Sequence, residues 1–303
     1  MPIREMIELA RPRHLIKNAV VFIPVVFGKR MFDVRAWEQA GAAAVAFCFA
    51  SAFSYILNDI KDREGDLAHP LKKGRPVASG RVSSKTALTE AAVFVLIALV
   101  IAQGLSAVVL LIVAVFILLQ VCYTLFLKEK ALIDVICIAL GFVLRAASGV
   151  AAIRGEVSPW LFICMFTICL FMGFCKRYNE VVTIEDRRVA ENHRPALIEY
   201  TPELLTHLIT LSAGIAVVSF LVYGLSESTI ERFGSNCFVY TLPIVVYGVF
   251  RFAMLSMRGS YGDPTDIIFK DRAFQITMLI WVAAAIFIIS YGRYVGDWLE
   301  SLY

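Results

Sequence analysis

The sequence predicts an all-α fold: a polytopic membrane helix bundle of about nine transmembrane helices. Three observations carry that expectation. Mean hydropathy is +0.73. Of the 303 residues, 59% are hydrophobic and only 18% charged, whereas a soluble domain of this size carries more charge. The apolar residues also come in runs long enough to cross a bilayer, which takes ~20 helical residues.

The spans expected from those runs are residues 15–32, 36–58, 84–103, 106–127, 131–151, 158–176, 203–224, 237–257 and 273–297. The first is the weakest. Lys17, Asn18 and Pro24 interrupt it, which predicts a kink or exposure to a cavity. No internal repeat or low-complexity tract divides the chain, so residues 1–303 are expected to form one domain. The cysteines at 48, 122, 137, 164, 169, 175 and 237 mostly lie inside apolar runs and form no Cys-x-x-Cys pair. They read as small apolar packing residues, with no disulfide framework and no zinc site. The first apolar run leads into Lys29 and Arg30 without a small-residue cleavage site. No signal peptide is therefore expected, and the first helix would serve as its own insertion signal.

Charge asymmetry sets the expected orientation. With the N-terminus inside, the inner side carries Arg4, Arg11, Arg13 and Lys17, and the 59–83 loop adds Lys61, Arg63, Lys72, Lys73, Arg75 and Arg81. Lys128 and Lys130, the 177–202 loop, and Arg258, Lys270 and Arg272 fall on the same side. The other side carries only Lys29, Arg30, Arg35, Arg154, Arg232 and Arg293. This bias predicts the N-terminus inside, the C-terminus outside, and every motif-bearing loop on the cytoplasmic face. The partners expected are the bilayer and small substrates, with no nucleic acid; a homo-oligomer stays open.

The chemistry concentrates in residues 58–80, NDIKDREGDLAHPLKKGRPVASG. On a helix Asn58, Asp62 and Asp66 are spaced i, i+4, i+8, and Asp59 stands three before Asp62, so all four are expected on one side. Like charges on one stripe repel unless a cation sits among them. Oxygen-only ligands at a membrane surface suit Mg²⁺ shared with a substrate diphosphate. The basic segment that follows, with Lys72 and Arg75, suits phosphates. The bland alternative is a solvated helix end. Arg145 stands midway along an apolar run, with Gly141 and Gly149 one turn away on either side. A buried arginine is costly and normally faces a polar cavity. It either pairs with an interior carboxylate such as Asp134 or clamps a phosphate. Lys128 and Lys130 also read as positive-inside topology signals, Lys130 more so than Lys128.

The 58–80 string resembles the first Asp-rich motif of the UbiA superfamily of intramembrane prenyltransferases. It is closest to the branch that holds decaprenyl-phosphate phosphoribosyltransferase, with N-D-x-x-D-x-x-x-D followed by His69-Pro70, Arg75-Pro76 and Gly80. The likeness runs along the chain: Arg11-Pro12 with Lys17-Asn18, then Tyr123, Lys128 and Asp134, then Gly141 to Arg145 with Gly149. Further on come Lys176-Arg177 with Glu180, then Tyr200, then Tyr247-Gly248 with Arg251-Phe252, Pro264 and Asp271. Prenyltransferases of the superfamily carry a second D-x-x-x-D. Here that loop opens on Lys176 and Arg177, with Glu180, Glu185 and Asp186 as its acids.

The resemblance implies a UbiA-like bundle in a bacterial inner membrane. It implies transfer of 5-phosphoribose from 5-phosphoribosyl 1-diphosphate to a polyprenyl phosphate, feeding lipid-linked arabinose supply. Asn58, Asp59, Asp62 and Asp66 would hold Mg²⁺. Lys17, Lys72, Arg75, Tyr123, Lys128, Asp134, Arg145, Lys176, Arg177 and Glu180 would contact the substrates. The alternative is attachment of a polyprenyl chain to an aromatic or other acceptor, which the missing second acidic pair disfavours. A transporter with intramembrane charge would need neither the carboxylate stripe nor the basic loops.

Overall fold

The computed structural model describes residues 3–68, 72–156, 158–183, 195–259, 261 and 264–300. His69, Pro70, Glu185 and Asp186 lie outside the described residues. Among those described there is no strand, and eight helices are long and apolar enough to cross a membrane. The chain divides into two compact units, residues 1–26 with 30–157, and residues 27–29 with 158–303.

The first unit opens with α1 (Ile3–Ala10), a 3₁₀ segment (Pro12–Phe22) and the short α2 (Ile23–Phe27). The expected span at 15–32 is therefore not one α-helix. Pro12 starts the 3₁₀ segment and Arg11 before it is left-handed, with φ 49°. A 3₁₀ turn repeats every three residues. Within the segment Asn18 and Val21, three apart, are the buried positions, and Pro24 and Val25 follow at the start of α2. The coil, at 11 residues, runs far past the usual three or four.

α3 (Val34–Lys61) is the axis of this unit. Asp33 caps it, accepting from the Arg35 and Ala36 amides at 3.0 and 3.3 Å. Ala36, Ala40, Ala43, Ala46 and Ala50 are fully buried along its length. Small residues let helices approach closely where lipid removes the hydrophobic drive. α3 packs against α5 (Ser84–Leu105), α6 (Ala107–Leu125), α7 (Ile133–Ala152) and the 3₁₀ segment, with the short α4 (Arg63–Ala68) at its end. Ser83 and Ser106 cap α5 and α6. More than half of the apolar stretch is buried in α3 and α7 (56% each), against 22% in α5 and α6, which turn Leu88, Leu96, Val100, Leu111 and Leu118 outward.

In the second unit α8 (Pro159–Thr183) packs most extensively on α9 (Pro202–Leu225). α10 (Glu227–Phe233) follows, then α11 (Leu242–Met257), α12 (Pro264–Lys270) and α13 (Arg272–Glu300). An aromatic cluster of Phe27, Phe220, Tyr223, Phe233, Phe238 and Trp281 fills its centre, with ring centroids 5.2 to 6.5 Å apart. α13 passes this cluster at Gly292, where a Cβ would lie 2.5 Å from the Phe233 carbonyl oxygen. All seven cysteines are unpaired, as expected.

Candidate active site

The acidic motif sits where α3 stops being regular. Asp62 leaves helical geometry at φ −92° and ψ 9°. Its amide still donates to the Asn58 carbonyl at 2.9 Å, and the Asp66 amide donates to the Asp62 carbonyl at 2.8 Å, so α4 nearly continues the line of α3. The four residues fall into two pairs. Asp59 and Asp66, two turns apart, both accept from Arg75 Nη1, at 3.2 and 2.5 Å. Asp59, only 2% exposed, also accepts from Arg11. Asn58 and Asp62, one turn apart, both accept from Lys128 Nζ, the Asn58 contact being 3.2 Å.

Each of these cations comes from a different element. Arg11 stands between α1 and the 3₁₀ segment. Arg75 is held by a self-bonded loop: its amide donates to the Lys72 carbonyl at 2.9 Å, and the Val82 amide donates to the Pro76 carbonyl at 2.9 Å. Arg81 ties that loop to α1 by a two-pronged bond to Glu8, at 2.8 and 2.9 Å, and donates to the Gly74 carbonyl at 2.6 Å. The guanidinium holds the Glu8 carboxyl below the usual carboxylate range. Lys128 lies in a one-turn 3₁₀ link between α6 and α7 and is buried. Half-buried Tyr123 closes α6 before it. Asp134, fully buried in the first turn of α7, accepts from the Val135 amide at 2.8 Å.

Farther along α3 lies a second polar layer. Arg145 donates through Nε to Asn18 Oδ1 at 2.7 Å and through Nη2 to Ser51 Oγ at 3.3 Å. Its guanidinium carbon stands 4.7 Å over the Phe116 ring and 5.1 Å over Phe142. Ser51 donates to Asn18 Oδ1 at 3.3 Å, and Asn18 Nδ2 reaches Cys48 Sγ at 3.3 Å. All three network residues are buried, so the charge is solvated by side chains instead of water. Gly149 makes the approach possible: a Cβ there would lie 2.1 Å from the Val21 carbonyl oxygen.

In the second unit, half-buried Lys176 precedes Arg177, which is 1% exposed and pairs with Glu180 one turn on. Arg251 on α11 grips Asp271 with Nε at 2.6 Å and Nη2 at 2.8 Å. Asp271 also caps α13, accepting from the Phe274 amide at 2.7 Å. The guanidinium holds the Asp271 carboxyl low.

Among the described residues, no three side chains of His, Cys, Asp or Glu gather into a ready metal cage. Mg²⁺ does not need one; it is usually held by one or two carboxylates together with substrate phosphate oxygens. Asn58, Asp59, Asp62 and Asp66 offer only hard oxygen donors, and the cations already bound to them match the charge of phosphates. The residues present fit that use.

An α-helical membrane bundle with an acidic motif at one helix end, bound by cations from three other elements, defines an intramembrane enzyme of polyanionic substrates. The chain belongs to the UbiA prenyltransferase family, whose model matches residues 21–266. It is 32% identical to decaprenyl-phosphate phosphoribosyltransferase of Mycolicibacterium smegmatis, over 91% of this chain and 90% of that one. It is 30% identical to the protein of the same name in Mycobacterium tuberculosis, over 95% of each. A UbiA homolog from Archaeoglobus fulgidus, solved bound to DMAPP and Mg²⁺, superposes with a TM-score of 0.71 at 18% identity, over 94% of this chain and 99% of that one.

Reading the sequence for site residues passed over Arg11 and Asn18 as motif residues without a role, and missed Ser51. Ser51 had a signal: it stands seven residues before Asn58, on the same stripe of α3.

Proposed function

We propose that this chain is a Mg²⁺-dependent pentosyltransferase of the bacterial cytoplasmic membrane. It moves 5-phosphoribose from 5-phosphoribosyl 1-diphosphate to a polyprenyl phosphate, with residues 1–303 acting as one transferase domain. The observation that carries this reading is the Lys176-Arg177 pair, Arg177 buried, in the last turns of α8, where prenyl-diphosphate enzymes carry a second acidic pair. A donor with a 5-phosphate in addition to its diphosphate needs those cations; a prenyl diphosphate does not. The name shared by the mycobacterial relatives, over more than nine-tenths of the chain, supports the same choice.

In this reading Asn58, Asp59, Asp62 and Asp66 hold Mg²⁺, which when bound neutralises the leaving diphosphate. Arg75 and Lys128, already beside those carboxylates, bind diphosphate oxygens. Lys17, Lys72, Tyr123, Asp134 and Arg145 serve the diphosphate and the lipid phosphate; Lys176, Arg177 and Glu180 serve the 5-phosphate end. The bond from ribose C1 to the diphosphate oxygen breaks, and a lipid phosphate oxygen bonds to C1 from the opposite face, inverting it. The phosphate monoester is already ionised near neutral pH, so no strong general base is required, and positioning with charge stabilisation supplies the rate. The loops that carry these residues face the cytoplasm, with the N-terminus inside and the C-terminus outside.

The test is pyrophosphate release from the ribosyl donor by purified protein. Release is expected only when polyprenyl phosphate is added, with label passing from ribose to lipid. Consumption of a prenyl diphosphate with an aromatic acceptor instead would make the chain a prenyltransferase of the ordinary kind.

A further inference from the structure

Asn179 on α8 is 3% exposed, and neither its amide oxygen nor its amide nitrogen has a partner. The hydroxyl of Ser256 on α11, fully buried, has only the weak thiol of Cys175 beside it. These two helices run side by side in register. Phe171 packs on Phe252 with ring centroids 5.6 Å apart, and four residues later on both helices the Cys175 thiol lies beside the Ser256 hydroxyl. One further turn of α8 carries Asn179 to the end of α11, which stops at Met257. Cys175 and Ser256 thus share one seam with the Phe171, Phe252 and Phe274 rings, Phe252 to Phe274 being 5.7 Å, and Asn179 stands on the same stripe of α8 one turn beyond.

Buried polar groups in folded proteins are almost always bonded, so the Asn179 amide calls for a partner, a water or a ligand. The amide asks for one acceptor and one donor together. A phosphate only accepts, and an isoprenoid chain does neither. A hydroxyl does both. Arg177 and Glu180, beside Asn179 in sequence, are engaged with each other.

We propose that Asn179, backed by Ser256, binds the secondary hydroxyls of the donor's pentose ring and so selects a sugar over an isoprenoid. This rests on the ribosyl-donor reading above. The test uses full-length protein in nanodiscs with polyprenyl phosphate, comparing 5-phosphoribosyl 1-diphosphate with its 2-deoxy and 3-deoxy analogues. Wild type is expected to lose ~10–100-fold in kcat/KM with at least one deoxy donor. Asn179→Ala should lose a similar factor with the parent donor, leave the lipid KM unchanged, and no longer distinguish the deoxy donor from the parent. Ser256→Ala should show the same pattern more weakly. If wild type accepts both deoxy donors as well as the parent, or if Asn179→Ala still discriminates, the amide holds a water and the inference fails while ribosyl transfer stands. The wild-type comparison decides the matter even if a variant does not fold. Absence of any product from the ribosyl donor would overturn both readings.

Discussion

Asp59 and Asp62 stand three residues apart, yet they are held differently, and this separates catalysis from stability. Asp59 is buried and bonds two guanidiniums, whereas the Asp62 side chain is 35% exposed and bonds one lysine. Asp62→Asn should therefore lower turnover at least ~100-fold while costing only about 1–2 kcal/mol, since buried Lys128 keeps the Asn58 amide oxygen. Asp59→Asn should abolish turnover and also remove about 2–3 kcal/mol, since it takes from Arg11 its carboxylate partner and leaves Arg75 with Asp66 alone. Melting temperature and pyrophosphate release, measured on the same preparations, check both; equal melting of the two variants would refute the distinction. Chelation by EDTA should stop wild-type turnover and Mg²⁺ should restore it without change in the melt. At Arg145 the network with Asn18 and Ser51 sharpens the expectation. Arg145→Leu leaves the buried Asn18 amide oxygen with only the 3.3 Å bond from Ser51 and should cost about 1–3 kcal/mol in stability along with the rate. Arg145→Lys, which keeps the charge without the planar fork, should retain a little activity.

Two elements owe their placement to single residues. Gly149 lets α7 run against the backbone of the 3₁₀ segment, and a methyl group there meets a carbonyl oxygen with no room to yield. Gly149→Ala should push the segment away, draw Asn18 off Arg145, and cost about 1–3 kcal/mol with a parallel loss of rate. The same substitution at Gly41, where nothing lies within 4 Å, is the control and should be silent. In the second unit the Arg251–Asp271 fork ties α11 to the start of α13. Because the Asp271 carboxyl is held below its ordinary value near 4, its contribution is present above that pH and fades as pH falls through the lowered value. Urea unfolding from pH 7 down to pH 3 should show wild type losing an increment that Asp271→Asn lacks throughout, so the two curves converge in acid. Curves that stay parallel would show that the pair contributes nothing through its charge.

At the scale of the whole chain, hydropathy made eight of the nine expected spans legible, because a bilayer demands long apolar helices and nothing else in the sequence imitates them. The exception, residues 15–32, was visible as a broken run. Its 3₁₀ coil was hidden because the buried positions Asn18, Val21 and Val25 suit an α-helix equally well. The acidic stripe could be read because one helix carries it. Its division into two pairs could not, since that depends on Arg11, Arg75 and Lys128 arriving from elsewhere in the fold. Asn179 escaped notice for the same reason: only burial reveals that its amide is unmatched. The orientation inferred from charge makes its own prediction. Single cysteines at Arg63 and Glu129, in a cysteine-free background, should react with a membrane-impermeant maleimide only in inverted vesicles, and one at Gly155 only in right-side-out cells. The opposite pattern would invert the topology and place the sugar donor on the wrong side of the membrane.

The 3₁₀ segment is also a ruler. Its coil rises ~2.0 Å per residue, against ~1.5 Å in an α-helix, so seven residues reach about 14 Å instead of about 10 Å. Arg11 at one end touches Asp59, and Asn18, seven residues on, touches Arg145. Rewinding the segment to an α-helix would shorten the strut by several ångströms, and one of its two ends would have to let go. A sequence change that raises α-propensity between Pro12 and Asn18, with every contact residue kept, should thus detune the site by length alone.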